Sequence, residues 1–157
     1  MKLISHSRLL ELVSYDPETG VFTRIPSGKE AGRPDRSGYL LLSVAHWNYR
    51  AHRLAWFYMT KSWPEAEIDH INGICGDNRF ANLRECDHKQ NNHNQPLRRN
   101  NTSGVKGVSR TLNGKWHVQV CLNYKNHSGG LFDDLADAEK AARALRERLH
   151  GEFANHG

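Results

Sequence analysis

The sequence predicts an α+β chain in two small units, and three observations carry that prediction. Residues 67–93 read as a strand, a glycine-containing loop, a strand and a helix in close succession. From Lys115 the pattern alternates, with Trp116, Val118, Val120 and Leu122 on one face and Lys115, His117, Gln119 and Cys121 on the other, the two-residue period of a half-buried strand. Beyond Asp134 or Asp137, Leu135, Ala138, Ala141, Ala142, Leu145 and Leu149 form one apolar helical stripe. Only 38% of the 157 residues are hydrophobic, so two units have modest cores, and four Trp, five Tyr and five Phe must supply much of them.

Taken in order, residues 5–14 predict a short helix capped by Ser5 or Ser7, with Leu9, Leu10, Leu12 and Val13 as its apolar residues. The run Asp16-Pro17-Glu18-Thr19-Gly20 is a turn, followed by a strand over Val21–Ile25. Gly, Pro and charge make Ser27–Ser37 a loop or wide hairpin turn. Strands are expected over Gly38–Val44 and Asn48–Ala51, then a buried helix over Arg53–Thr60 that stops before Trp63-Pro64, because a residue preceding proline avoids the helical region. Glu67–His70 and Ala81–Glu85 form a strand pair around the loop Asn72–Arg79, and Asp87 caps a helix over His88–His93. Asn94–Gly104 has no periodicity and reads as a linker. Val105–Arg110, Lys115–Leu122 and His127–Phe132 complete a three-stranded sheet, with Asn113-Gly114 and Asn123–Asn126 as its turns. One face of that sheet takes the final helix, and the other stays open.

Charge placement limits the partner. No Asp or Glu occurs between Asp87 and Asp133, a window that holds Lys89, Arg98, Arg99, Lys106, Arg110, Lys115 and Lys125. That block is +7 while the rest of the chain nets −2, which points to a polyanion, and to nucleic acid before a membrane surface. The start of the chain lacks the apolar run of a signal peptide or membrane span. Cys75, Cys86 and Cys121 form neither a disulfide framework nor a Cys-x-x-Cys pair, so no structural zinc is expected. The expectation is an intracellular protein with reduced thiols, a double-stranded DNA partner and no small-molecule cofactor.

The chemistry concentrates in Asp69-His70, Asn82 and Asn91, the two asparagines following His70 at intervals of 12 and 9 residues. Phosphodiester hydrolysis needs an activated water, a cation for the developing charge and protonation of a leaving oxygen. A neutral imidazole can take the water's proton, and a carboxylate with an amide oxygen suits a hard ion such as Mg²⁺. Each residue has a plainer reading: an isolated Asp-His pair is usually a turn, Asn72, Asp77 and Asn78 read as loop formers, and His52 with Arg53 reads as structural or as a phosphate contact.

The run Asp69-His70-Ile71-Asn72-Gly73, with Asp77-Asn78-Arg79, Asn82-Leu83-Arg84 and Gln90-Asn91-Asn92, resembles the HNH endonucleases of the ββα-metal class found in homing systems and phages. His52-Arg53-Leu54-Ala55-Trp56 lies upstream as in phage members. The resemblance implies His70 as general base, Asn82 orienting His70 through its carbonyl oxygen, and Asp69 with Asn91 holding one Mg²⁺ or Mn²⁺. His93 is the alternative to Asn91. It further implies nicking of DNA to leave a 5′ phosphate and a 3′ hydroxyl, in the cytoplasm of a bacterial host if the chain is phage-encoded. Residues 101–154 resemble the Apetala/ethylene-response-factor DNA-binding domain, whose sheet lies in the major groove. That likeness adds Lys106, Ser109 and Thr111 to the open-face residues Lys115, His117 and Gln119, with Arg98, Arg99, Arg110 and Lys125 as further DNA contacts. The expected organisation is therefore a ββα-metal HNH unit over 1–94 with its core motif at 67–93, a basic linker over 95–104, and the sheet module over 105–157. The rival reading is a non-catalytic DNA-binding regulator whose nuclease half is degenerate.

Overall fold

The Ser5 side chain accepts the Arg8 N–H and starts α1 (His6–Leu12). A computed structural model describes residues 3–95 and 97–157, apart from the side chain of His93. The fold is α+β, and the chain divides into two compact units, Met1–Asp87 and His88–Gly157. Among the described residues no helix is long and apolar enough to cross a membrane.

In the first unit α1 ends earlier than its composition suggests. Val13 is extended, and β1 (Val13–Tyr15) buries Val13 and Tyr15 while exposing Ser14. Pairing with β2 (Phe22–Arg24) holds these residues, Val13 opposite Arg24 and Tyr15 opposite Phe22, so tertiary burial overrides the helical reading of residues 13 and 14. The Gly- and Pro-rich stretch is not all loop. It contributes β3 (Glu30–Ala31) to the edge of β2 and β4 (Arg33–Pro34) to the edge of β5 (Leu40–Val44). Pro34 is tolerated because an edge strand does not need every N–H. β5 pairs with β6 (Trp47–Arg50) across Ala45 and His46, both left-handed, a two-residue turn made without the usual glycine or asparagine.

Helix α2 (Ala51–Thr60) buries Ala51, His52, Leu54, Ala55 and Phe57 and ends on left-handed Lys61. Trp63 stacks on Phe57 at 4.5 Å and on Tyr49 at 5.6 Å, closing the core of this unit. Arg53 donates to the Pro64 and Ala66 carbonyls, which fastens the segment leading into the next strand and makes its role structural. β7 (Glu67–His70) and β8 (Leu83–Cys86) form the expected pair, with Asp69 opposite Arg84 and His70 opposite Leu83. A 3-10 turn over Phe80–Asn82 precedes β8, so Asn82 sits at the mouth of the loop rather than within the strand.

The β1–β2 turn braces that loop. The Tyr15 hydroxyl donates to the Asn78 carbonyl at 2.6 Å, and the Phe80 N–H donates to the Pro17 carbonyl. Gly20 has φ +75°, and a Cβ there would lie 2.5 Å from the Arg79 nitrogen. Gly20→Ala is therefore expected to destabilise the chain by about 1–3 kcal/mol from backbone strain alone, with the clash adding to it. Urea denaturation would read this as a lower midpoint at unchanged slope.

The second unit begins with α3 (His88–His93). β9 is confined to Val108–Arg110, shorter than expected, because Gly107 takes φ +74° and lies so close to Gln119 that a Cβ would sit 2.7 Å from its carbonyl oxygen. β10 (Trp116–Leu122) is central, between β9 and β11 (Lys125–Phe132). The β10–β11 turn is Asn123-Tyr124, both left-handed, tighter than the four-residue turn expected. Asp134 caps α4 (Leu135–His150) by accepting the Ala136 and Asp137 N–H groups. Val108, Val118, Val120, Ala138, Ala142 and Leu145 form the core, with Trp116 packed against it as the alternation requires.

Residues 95–104 group with this second unit. Asn155 donates to both oxygens of Asn94 at 2.9 Å, and the Lys106 ammonium donates to the Gln95 carbonyl. Arg146, only 2% exposed, donates to the Lys106 carbonyl and to His156 Nδ1. The chain's last residues thus tie this stretch to α4.

Candidate functional site

Asp69, His70 and Asn82 all lie where β7 and β8 meet the loop, and all are buried. The backbone itself closes this junction, because Ile71 N–H donates to the Asn82 carbonyl and Gly73 N–H to the His70 carbonyl. Asn82 then locks the loop with its side chain. Its Oδ1 accepts the Asn72 N–H at 3.0 Å, and its Nδ2 donates to Asn72 Oδ1 at 3.0 Å and to the Asp77 carbonyl at 2.8 Å. Asp77 accepts from Asn72 Nδ2 and from the Arg79 guanidinium, whose hydrogen bonds hold its carboxyl well below the usual carboxylate range.

His70 Nε2 lies 3.4 Å from Asn78 Oδ1. Asn78 reads from the sequence as a loop former. The structure makes it 1% exposed and turns its amide toward the imidazole, while Asn82 directs its own amide into the loop. Burial pushes the His70 pKa below the ordinary imidazole value, and Asn78, Asp69 and Asp77 pull in the opposite direction. The neutral base form is favoured, as proton abstraction requires.

Asp69 points into an ion pair. Its Oδ2 accepts from Arg84 Nε at 2.9 Å and from a terminal guanidinium nitrogen at 2.8 Å. The two partners sit directly opposite each other on β7 and β8. Their side chains are 6% and 16% exposed, so this is a largely desolvated pair.

Two further side chains pack on His70: the rings of His52 and Tyr39. Burial, with the Cys75 thiol adding to it, raises the Tyr39 hydroxyl to about 12, so it stays protonated. His52 stands in the sequence as structural or as a phosphate contact, and nothing local marks Tyr39; α2 and the residue before β5 reach His70 only through tertiary packing. Arg84 was not singled out, although the strand pairing places it directly opposite Asp69.

Asn91 and His93 lie on α3 in the second unit; Asn91 is half-buried, and the His93 side chain lies outside the described residues. Among the described residues no group of three or more His, Cys, Asp or Glu side chains is gathered to hold a metal. An aspartate joined by an asparagine amide oxygen and waters is a different donor set, of the hard kind that Mg²⁺ accepts.

In the second unit Ser109 and His117 are cross-strand partners on the face turned away from α4, and Gln119 follows on the same side of β10. Lys115 precedes β10 and pairs with Asp133 at 3.1 Å. Arg110 instead stacks over Trp116 at 5.5 Å, and the Thr111 hydroxyl closes the β9–β10 turn on Lys115. Lys106, expected on the open face, lies before β9 and beside Arg146, and burial with that neighbour lowers its pKa to about 8. Arg98, Arg99 and Lys125 are exposed.

The candidate site is thus a strand pair with a buried Asp-His at its end and a loop pinned by asparagine. Residues 49–93, from β6 through α3, match the HNH endonuclease family. The chain is also 36% identical to Protein 3.8 of Escherichia phage T7 over 88 residues, which cover 55% of this chain and 72% of that protein. No solved structure matches the chain.

Proposed function

We propose that this chain is a divalent-metal-dependent HNH endonuclease that nicks double-stranded DNA and is addressed to its target by the C-terminal sheet. The observation that carries the reading is the buried imidazole of His70, kept neutral beside the Asp69 carboxylate on an asparagine-pinned loop. His70 takes the proton from the attacking water. Asn82 fixes the loop from which His70 projects. Asp69 and Asn91 hold Mg²⁺ or Mn²⁺. When bound, such an ion offsets charge on the scissile phosphate and on the departing 3′ oxygen.

The address is proposed from charge and exposure. The acid-free window carries +7, and its sheet presents Ser109, His117 and Gln119 on an open face, a glutamine being suited to adenine. Arg98, Arg99 and Lys125 serve phosphates, and Lys115 does so on release from Asp133. Arg110 and Thr111 support the β9–β10 hairpin at the edge of that surface, and Lys106 shapes its flank. Each phosphate contact steepens the log–log salt dependence of binding by about 0.9.

The test is supercoiled plasmid incubated with the full chain and Mg²⁺ or Mn²⁺. The expected product is nicked circle, absent with chelator, and resealed by DNA ligase without added kinase because the ends are 5′ phosphate and 3′ hydroxyl. DNA binding without nicked circle, across several metals and DNAs, would establish the rival, a DNA-binding regulator with an inactive nuclease half.

A further inference from the structure

Three aromatic rings meet at the base, and they come from distant parts of the first unit. The His52 ring, in the first turn of α2, lies 5.1 Å from the His70 ring with the planes at 84°. Tyr39, just before β5, lies 5.3 Å from His52 and 5.8 Å from His70. Edge-on and tilted contacts of this kind are the arrangement that ring quadrupoles favour. Tyr39 is itself held, with the Arg50 guanidinium 4.4 Å over its ring and Arg50 ion-paired with Asp35 at 3.0 Å.

His52 is 7% exposed, and its Nδ1 is buried with no hydrogen-bond partner among the described residues. Burial, followed by the neighbouring His70, Arg50 and Arg53, depresses its pKa to about 3, so the ring is an uncharged wall at neutral pH. The Asn78 contact constrains one atom of the His70 ring, and at 3.4 Å it is long for a hydrogen bond. Contact between rings constrains the whole plane.

We propose that His52, backed by Tyr39, is a positioning residue that sets the plane of the His70 imidazole by ring contact and takes no part in proton transfer. The proposal rests on the reading of His70 as the base. Orientation matters because small misplacement of a reacting group can reduce rate by about 10²-fold.

The experiment compares His52→Ala with His52→Phe in the full chain, each first checked for a cooperative thermal transition. One readout is the ¹⁵N–¹H imidazole spectrum of His70, taken without DNA or added metal. The other is kcat and KM for plasmid nicking in Mg²⁺. His52→Ala is expected to lower kcat by about 10- to 100-fold at little change in KM, and to move the His70 nitrogen signals toward those of a rotationally averaged ring. His52→Phe, which keeps a ring but no ring nitrogen, is expected to restore most of kcat and the wild-type His70 signals. Unchanged His70 signals in His52→Ala overturn the proposal, and so does His52→Phe being as impaired as His52→Ala. If His52→Ala fails to fold, Tyr39→Ala removes the half-exposed second wall and should shift the same signals; no shift there overturns the proposal as well. A wild-type chain that nicks no DNA defeats the nuclease reading alone, since the His70 spectra still decide whether the rings set its plane.

Discussion

Replacing His70 by alanine should lower kcat for nicking by about 10²–10⁴-fold, the usual contribution of a positioned general base, while DNA affinity stays near that of the wild type. His70 is 4% exposed at the loop mouth, too enclosed to be a principal phosphate contact, so its loss falls on the chemical step. The pH profile should agree. The working form is the neutral imidazole, and burial lowers the His70 pKa. Activity is therefore retained as pH falls through about 6.5, the value for an ordinary imidazole, and is lost only below it. The sequence alone predicts the fall at that ordinary value, because burial of His70 is a tertiary fact. His52 adds a separate acid effect. Its folded pKa of about 3 lies below that of an unfolded chain, so the unfolded state binds more protons in between. Stability is full above about 6.5 and declines as pH drops toward 3. Returning acid-treated protein to neutral pH before assay separates reversible protonation of His70 from irreversible loss of fold. An acid limb at or above 6.5 in a folded chain would remove burial as the controlling influence on His70.

Legibility of the fold followed the range of the forces that made each element. β7, α3, β10 and α4 were readable because local periodicity, capping and turn chemistry agree with their tertiary setting. β1 was not, since residues 13–15 become a strand only by pairing with β2. The same holds for β3 and β4, which borrow their edges from other strands. At the candidate site, Asp69 and His70 stood out by residue type and spacing. Asn78 was hidden among loop-forming residues, and His52 and Tyr39 among packing residues. What distinguishes these three is which way they face, and that is fixed by α2, the β1–β2 turn and the loop network together. In the second unit the alternation put His117 and Gln119 on one face, and the resemblance added Ser109, which lies across from His117, and Lys106, which the glycine at 107 turned out of register with them.

Asp69→Ala should combine the loss of metal-dependent cleavage with a loss of stability, and the two can be separated. Removing the carboxylate leaves the Arg84 guanidinium in a site that exposes only 16% of its side chain. Breaking a buried pair in this way costs about 3–5 kcal/mol, because the remaining charge stays desolvated while its paired carboxylate is gone. The double variant Asp69→Ala/Arg84→Met removes both charges and keeps apolar volume at position 84. Exchanging a buried ion pair for apolar side chains is often close to neutral, so urea unfolding should return most of the stability lost in Asp69→Ala. Cleavage should not return, because neither alanine nor methionine offers an oxygen to a hard cation. Arg84→Met alone is the informative third corner. It leaves Asp69 buried without its main counter-charge, so it too should destabilise the fold, yet it retains the carboxylate that Mg²⁺ needs. Nicking by Arg84→Met at temperatures below its melting transition, together with a stable but inactive double variant, would assign Asp69 a chemical role beyond its ion pair. Cleavage by the stable double variant would instead confine Asp69 to holding β7 against β8.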